Sequence, residues 1–214
     1  MSLFTEAEVL DRYLEAHSQL EDPVLQELAR HTYLKEIHPR MLSGHILGSV
    51  LTMFSRMLSP DHILEFGTYT GYSAICLARG LRPGGKLTTL EVNDELRSIA
   101  LQFFEKANLQ EQIHLINGDA LELIPSLRDT FDLVFIDAQK DDYPKYFNLV
   151  LDKVNPGGYI LADNVLWGGK VLDASKSDPT TRIIDRFNKM ITEDPRVKNL
   201  LLPLRDGLMV IQKK

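Results

Sequence analysis

Cysteine is almost absent from this chain: among 214 residues only Cys76 carries a thiol. That excludes an intrachain disulfide and any cysteine metal cluster. Cys76 lies in the apolar stretch 73–78 and reads as a packed helix residue rather than a reactive thiol. Long apolar runs are missing too. Charges interrupt each one well short of a membrane span, so no membrane partner is expected. Residues 1–6 lack the basic and apolar regions of a secretory signal. Together these absences predict a cytoplasmic location. Positive charge is in deficit: 24 Lys and Arg stand against 30 Asp and Glu, a net charge of −6. A polyanion is therefore not the expected main partner. Two phosphate-binding signatures are also absent. There is no G-x-G-x-x-G, and no Lys-Ser/Thr follows a glycine loop.

What is present is an ordinary globular balance, 44% hydrophobic and 25% charged, enough for one domain over residues 1–214. Residues 1–58 read as a helical N-terminal extension and 59–214 as an α/β core. Residues 5–57 look helical throughout. The third segment has a stripe of Ile46, Leu47, Val50, Leu51, Phe54, Met57 and Leu58, read as core, and Pro60 stops it. Strand candidates follow at 62–66, 86–91, 112–116, 131–136, 157–162, 197–202 and 207–213. Amphipathic helices lie between them, one led by Ile99, Phe103 and Phe104, one by Tyr143, Tyr146 and Phe147, one by Ile184, Phe187 and Ile191. Alternation at this spacing predicts a doubly wound, mostly parallel seven-stranded sheet covered on both faces. Only residues 203–207 join the last two strands, and Asp206-Gly207 is a hairpin signal, so that pair is expected to be antiparallel.

The chemistry gathers at the carboxyl ends of the strands, where open α/β sheets bind ligands. Asp137 ends one apolar run and Asp163-Asn164 ends another. Two carboxylates and an amide carbonyl side by side suit a hard divalent cation. Helix capping at strand–helix junctions is the competing explanation for each acid taken alone. Strand one runs into Glu65-Phe66-Gly67-Thr68-Tyr69-Thr70-Gly71-Tyr72-Ser73, and its glycines admit a ligand close to the backbone. Glu65 would repel a pyrophosphate there and suits a cation. Glu91 ends strand two, about 20 residues on, where an acid commonly takes ribose hydroxyls. The alternative is a solvated helix start with Asn93 as its cap. Asp119 caps the next helix, accepts from an adenine amino group, or does both. Three acids with no Lys or Arg at these ends describe a pocket for a cationic nucleoside, and S-adenosylmethionine answers that description.

In order, the chain contains Glu65-x-Gly67-x-x-x-Gly71-Tyr72-Ser73, Gly118-Asp119-Ala120, Asp137-Ala138-x-Lys140-x-x-Tyr143, Asp163-Asn164-x-x-Trp167-x-Gly169 and Asp206-Gly207. Over roughly residues 38–214 this resembles the cation-dependent class I O-methyltransferases, the group of the caffeoyl-CoA and catechol O-methyltransferases. The resemblance implies a Rossmann-like class I methyltransferase fold. It implies that Asp137, Asp163 and Asn164 bind the metal, Mg²⁺ with Ca²⁺ or Mn²⁺ as alternatives. Glu65, Gly67, Tyr69, Ser73, Glu91, Asp119, Ala120 and Asp137 would hold S-adenosylmethionine. Lys140, with Asp137 and Asn164, would do the chemistry, and Met41, Trp167 and Lys140 would face the substrate. A small phenolic substrate and a homodimer follow from the same resemblance. A lysine beside a divalent ion has a reason for a lowered pKa, so Lys140 is either base or cationic stabiliser. Trp167, followed by two glycines, reads as an exposed substrate-side ring, with Tyr72 as a second aromatic wall. Departures from the family pattern are His45 after Gly44, which reads either as an exposed helix residue or as lining the substrate mouth, and Gln139; both bear on the acceptor. The alternative acceptor is a hydroxylated uridine in transfer RNA, for which Arg79, Arg82 and Lys86 would be the basic cluster. A nicotinamide-dependent dehydrogenase and a non-enzymatic cofactor-binding module are the remaining readings.

Overall fold

A computed structural model of the chain describes residues 6–173, 175 and 178–214; residue 5 of the expected helical region, and residues 1–5 of the start, lie outside it. The helical region is not continuous. It forms α1 (Glu6–Ala16), α2 (Pro23–Lys35) and α3 (Gly44–Leu58). Each break has a local cause. Asp22 accepts from Val24 N at 2.9 Å and Pro23 supplies a preset φ, which together start α2. After Lys35 the backbone extends at Glu36, and Pro39 heads only a 3₁₀ turn, Pro39–Met41. Ser59, in the left-handed region at φ 47°, ends α3. One expected core residue is misplaced. Met57 is 81% exposed, because the stripe drifts off the buried face by the last turn of α3.

The strands are β1 (His62–Phe66), β2 (Lys86–Glu91), β3 (Ile113–Asn117), β4 (Phe131–Ile136), β5 (Val154–Asp163), β6 (Val197–Leu202) and β7 (Leu208–Lys213). They alternate with α4 (Tyr72–Ala78), α5 (Arg97–Lys106), α6 (Ala120–Ser126), α7 (Tyr143–Leu151) and α8 (Pro179–Glu193). β5 starts earlier than the hydrophobic pattern indicates. Phe131 pairs with Val154 but Leu133 with Tyr159, so the segment containing Pro156-Gly157-Gly158 forms an irregularity inside the paired strand.

The seven strands lie in the order β3-β2-β1-β4-β5-β7-β6. β1 to β5 are parallel, and β7 enters antiparallel between β5 and β6. The expected mostly parallel sheet with an antiparallel C-terminal pair is what forms. Chain order reverses between β1 and β4, which opens a crevice at their carboxyl ends. One apolar core joins Leu25, Leu28, Leu47 and Leu51 of the N-terminal helices to Ile63, Leu133 and Leu161 of the sheet. A second, on the opposite face, packs Phe147, Ile184 and Phe187 against Val134, Ile160 and Ile211. Among the described residues no helix is long and apolar enough to cross a membrane.

Candidate active site

A cavity of about 1000 Å³ lies over the carboxyl ends of β1, β2, β4 and β5. Its walls include Gly67, Tyr69, Ser73, Glu91, Asp119 and Ala120 on one side. On the other are Asp137, Lys140, Asp163, Asn164, Trp167 and Met41. Of the residues singled out for the site, Glu65 alone does not line it. Glu65 is fully buried in β1.

The floor is set by close backbone approach. Gly67 N donates to Leu90 O at 2.9 Å, and Asp137 N donates to Phe66 O at 3.0 Å. Gly67 has φ 91°, and a Cβ there would lie 2.2 Å from Asp137 O. Because that oxygen is backbone, and Asp137 is tied to β1 through its N–H on Phe66 O, Gly67→Ala is expected to cost about 3 kcal/mol or more of unfolding free energy, read from urea denaturation. A variant within 1 kcal/mol of wild type, roughly the size of an ordinary surface change, would contradict this packing argument.

Glu91 is buried rather than solvated. Its Oε2 accepts from Tyr69 N at 2.7 Å and its Oε1 from Asn93 N at 2.9 Å. Tyr69 sits in the left-handed region at φ 49°, so the carboxylate pins a strained turn on the cavity wall. Asn93 does cap, accepting from Glu95 N, and Asp119 caps α6 through Leu121 N at 2.8 Å while lining the cavity.

Glu65 Oε2 accepts from Thr89 Oγ1 at 2.5 Å, and Thr89 also bonds Thr68. Oε1 has no hydrogen-bond partner. Burial pushes the Glu65 carboxyl up to about 8; the Ser73 and Thr89 hydroxyls pull the other way, and the charges of Asp137 and Glu91 add to the rise. The folded chain therefore binds this proton more tightly than the unfolded chain, whose value is near 4.5. The stabilisation is complete below that unfolded value and is lost as pH rises toward 8. The ligand-free chain should lose Tm between about pH 5 and pH 8. Glu65→Gln, which carries no proton to lose, should follow a flatter curve over the same window. Parallel Tm profiles for the two would contradict a buried, protonated Glu65.

Capping does not explain the two acids on the other wall. Asp163 is the last residue of β5, and Asp137 bonds no helix N-terminus: the 3₁₀ turn Lys140–Asp142 is preceded by Gln139, without a side-chain cap. Asp137 Oδ1 instead accepts from Lys140 Nζ at 2.6 Å. Asp163 is 3% exposed and its Oδ1 has no partner. Burial, and then the charge of Asp137, push the Asp163 carboxyl well above the usual carboxylate range. Asn164 follows in the left-handed region at φ 61° and lines the same cavity. Two facing carboxylates, one with an orphan buried oxygen, and an adjacent amide are a donor set that fits a hard divalent cation. Among the described residues no three His, Cys, Asp or Glu side chains cluster to hold a metal.

The expected lowered pKa of Lys140 is not found in the chain alone. Burial acts to lower it, but Tyr143 and Asp137 outweigh burial and hold the ammonium above its ordinary value. The lysine stands at the start of a 3₁₀ turn, an unfavourable end for a cation, and Asp137 compensates it.

Trp167 is half-buried, not exposed. Its ring packs against the second core, and its Nε1 is buried without an acceptor. The loop carrying it is clamped to the β6–β7 turn: Leu166 N donates to Asp206 O at 2.8 Å, and Gly168 N donates to the Asp206 carboxylate. Arg205 of that turn donates to Ser43 O and lines the cavity, joining the turn to the segment before α3. Nothing in the sequence pattern marked Arg205. Tyr72 is buried and its hydroxyl bonds Glu21, so it anchors the helical region as well as lining the cavity. His45 is half-buried and is not among the cavity residues, whereas Gln139 is. The proposed basic cluster is largely neutralised, since Arg79 pairs with Asp22 at 2.9 Å and Arg82 with Asp61.

A family described as O-methyltransferase matches residues 15–214 of the chain. A catechol O-methyltransferase of Niastella koreensis is 35% identical over 161 residues, covering 73% of this chain and 73% of that protein. Caffeoyl-CoA O-methyltransferase 2 of Eucalyptus globulus is 34% identical over 179 residues, covering 78% and 72%. The structure is similar to that of the O-methyltransferase TomG from Streptomyces achromogenes in complex with SAM, with a TM-score of 0.91 and 29% identity over 99% of this chain and 100% of that one.

Proposed function

Because this chain belongs to the O-methyltransferase family, as an S-adenosylmethionine-dependent O-methyltransferase of the caffeoyl-CoA and catechol type, we propose that its acceptor is a hydroxyl of a small catechol-like or hydroxycinnamoyl molecule, bound with a divalent cation. The observation that carries this reading is the pair of strand ends. β4 and β5 bring Asp137, Asp163 and Asn164 to one wall of the cavity beside Lys140, with Asp163 Oδ1 buried and unpartnered.

S-adenosylmethionine supplies a methyl group on a positively charged sulfur. Glu91 accepts the ribose hydroxyls with the lone pairs its two backbone bonds leave free, and Asp119 accepts from the adenine amino group. Tyr69, on the Gly67–Gly71 turn, and Ser73, in the first turn of α4, face the methionyl part, and Ala120 gives close approach at the start of α6. Glu65 lies buried beneath them, protonated in the ligand-free chain, and a cationic amine bound above it would favour its ionised form. Asp137, Asp163 and Asn164 would hold the cation, which would supply the charge that favours the ionised form of an acceptor hydroxyl. Lys140 lies beside that hydroxyl, to take its proton or to stabilise the oxyanion. Trp167 and Met41 flank the acceptor, Met41 from the rim, where it is 60% exposed. The same reading takes the chain to be a cytoplasmic homodimer. Exposed apolar side chains on and after α2, Tyr33, Leu34 and Ile37, support a surface that a second copy would cover.

The test is transfer of labelled methyl from S-adenosylmethionine to catechol, caffeic acid, caffeoyl-CoA and bulk transfer RNA in parallel. Label is expected in the catechols. Label in transfer RNA alone would overturn the acceptor class.

A further inference from the structure

Tyr143 opens α7 and is fully buried, yet the chemistry described above gives it no part. Its ring is fixed by Phe187, edge-on at 5.4 Å and 75°, and by Tyr146 at 6.4 Å. The hydroxyl sits where β4 and β5 part. The last paired residues are Ile136 and Ala162, and just beyond them the hydroxyl lies 3.2 Å from Ile136 O and 3.0 Å from Asp163 O. On its other side is Lys140 Nζ at 2.9 Å.

The polarity of these bonds follows from their chemistry. Carbonyl oxygens only accept, so the single phenolic proton goes to them. Toward Lys140 the hydroxyl can therefore only accept. The Asp137 carboxylate, at 2.6 Å from Nζ, also accepts. The lysine nitrogen is thus made to donate in two fixed directions, and both of those partners are held by strand ends. Nζ is tetrahedral. One position remains, and Lys140 lines the cavity. That position holds a third proton in the ammonium and the lone pair in the amine; its direction is the same in either state.

We propose that Tyr143 is a positioning residue for methyl transfer: its hydroxyl orients Lys140 so that the one free position of Nζ faces the acceptor hydroxyl. The inference rests on the role assigned to Lys140 under the proposed function. It adds that the lysine's aim, and not only its charge, is built into the fold. A flexible lysine bonded to Asp137 alone would rotate about that contact, and misdirection of this kind is costly to rate.

A double-mutant cycle separates positioning from plain support of the fold. Steady-state kinetics would be measured for wild type, Tyr143→Phe, Lys140→Met and the double variant, with the best catechol acceptor and saturating S-adenosylmethionine. Tyr143→Phe should lower kcat by about tenfold or more, with both KM values within about threefold, an ordinary interaction-scale change. On the Lys140→Met background the same change should alter kcat by less than about twofold, since the group it orients is gone. Equal losses on both backgrounds would overturn the inference, because the hydroxyl would then act on the strand ends and not through the lysine. So would a wild-type kcat for Tyr143→Phe. A wild-type kcat for Lys140→Met is a different failure, that of the lysine's role itself. If Tyr143→Phe does not fold, 4-aminophenylalanine at position 143 supplies two N–H donors for the two carbonyls and leaves Lys140 only a weakly accepting lone pair delocalised into the ring. It should fold and still lose kcat; full activity would overturn the inference.

Discussion

If Asp163 holds a cation as proposed, Asp163→Ala is expected to reduce kcat by at least about a hundredfold, the scale of several kcal/mol of transition-state stabilisation. The dissociation constant for S-adenosylmethionine should stay within about threefold, less than one kcal/mol. The division follows from position. Asp163 ends β5, on the wall with Lys140 and Trp167, whereas Glu91 and Asp119 belong to β2 and the start of α6. Stability should move the other way from activity. Asp163 is buried with an orphan oxygen, and burial and Asp137 both oppose its ionised form. Removing the carboxyl removes that unfavourable burial, so Tm should hold or rise, the pattern of a residue kept for function at a cost in stability. Asp163→Asn, which preserves shape, should show the same loss of turnover. An Asp163→Ala variant with unchanged kcat, or one in which cofactor affinity collapses, would count against this division.

The second large effect belongs to Glu91. Glu91→Ala should weaken S-adenosylmethionine binding by about a hundredfold or more, the scale of losing a hydrogen-bonded charge in a buried site. Two contributions add. The carboxylate is the candidate ribose acceptor, and it also holds Tyr69 N and Asn93 N in the turn that forms the methionyl side. With Tyr69 at φ 49°, losing that bond frees the turn to relax out of its binding shape. At saturating cofactor kcat should recover to within about fivefold of wild type, because the acceptor wall is untouched. Calorimetry for affinity and saturation kinetics for kcat check the two halves. Full affinity in Glu91→Ala would contradict the assignment.

Much of this arrangement was legible in residue order, for identifiable reasons. β1, β2, β4 and β6 fall where alternation and apolar runs place them, because each is short and bounded by a turn or an acid. The pairing of Asp137 with Asp163-Asn164 was readable because neighbouring parallel strands place their ends together whatever the intervening sequence. β5 was less legible: Pro156-Gly157-Gly158 reads as a turn, yet the register irregularity keeps Val154 in the sheet. Met57 was misread because periodicity identifies a face but not where the covering layer stops. Trp167 was misread because its two following glycines suggested exposure, when they serve a loop held by Asp206. Arg205 and the two-sided bonding of Tyr143 left no trace in spacing alone, since each depends on partners brought together by the fold: Ser43 lies 162 residues from Arg205, and Asp163 lies 20 from Tyr143.

The central claim is that one wall of the cavity serves the cofactor and the other serves a cation-bound acceptor. The most direct measurement takes turnover and S-adenosylmethionine affinity on the same sample, first with Mg²⁺, then with excess EDTA, then with Mg²⁺ restored. Turnover should fall by at least about a hundredfold and return, while the dissociation constant stays within about threefold throughout. Turnover that survives EDTA, or cofactor affinity that disappears with the metal, would contradict it.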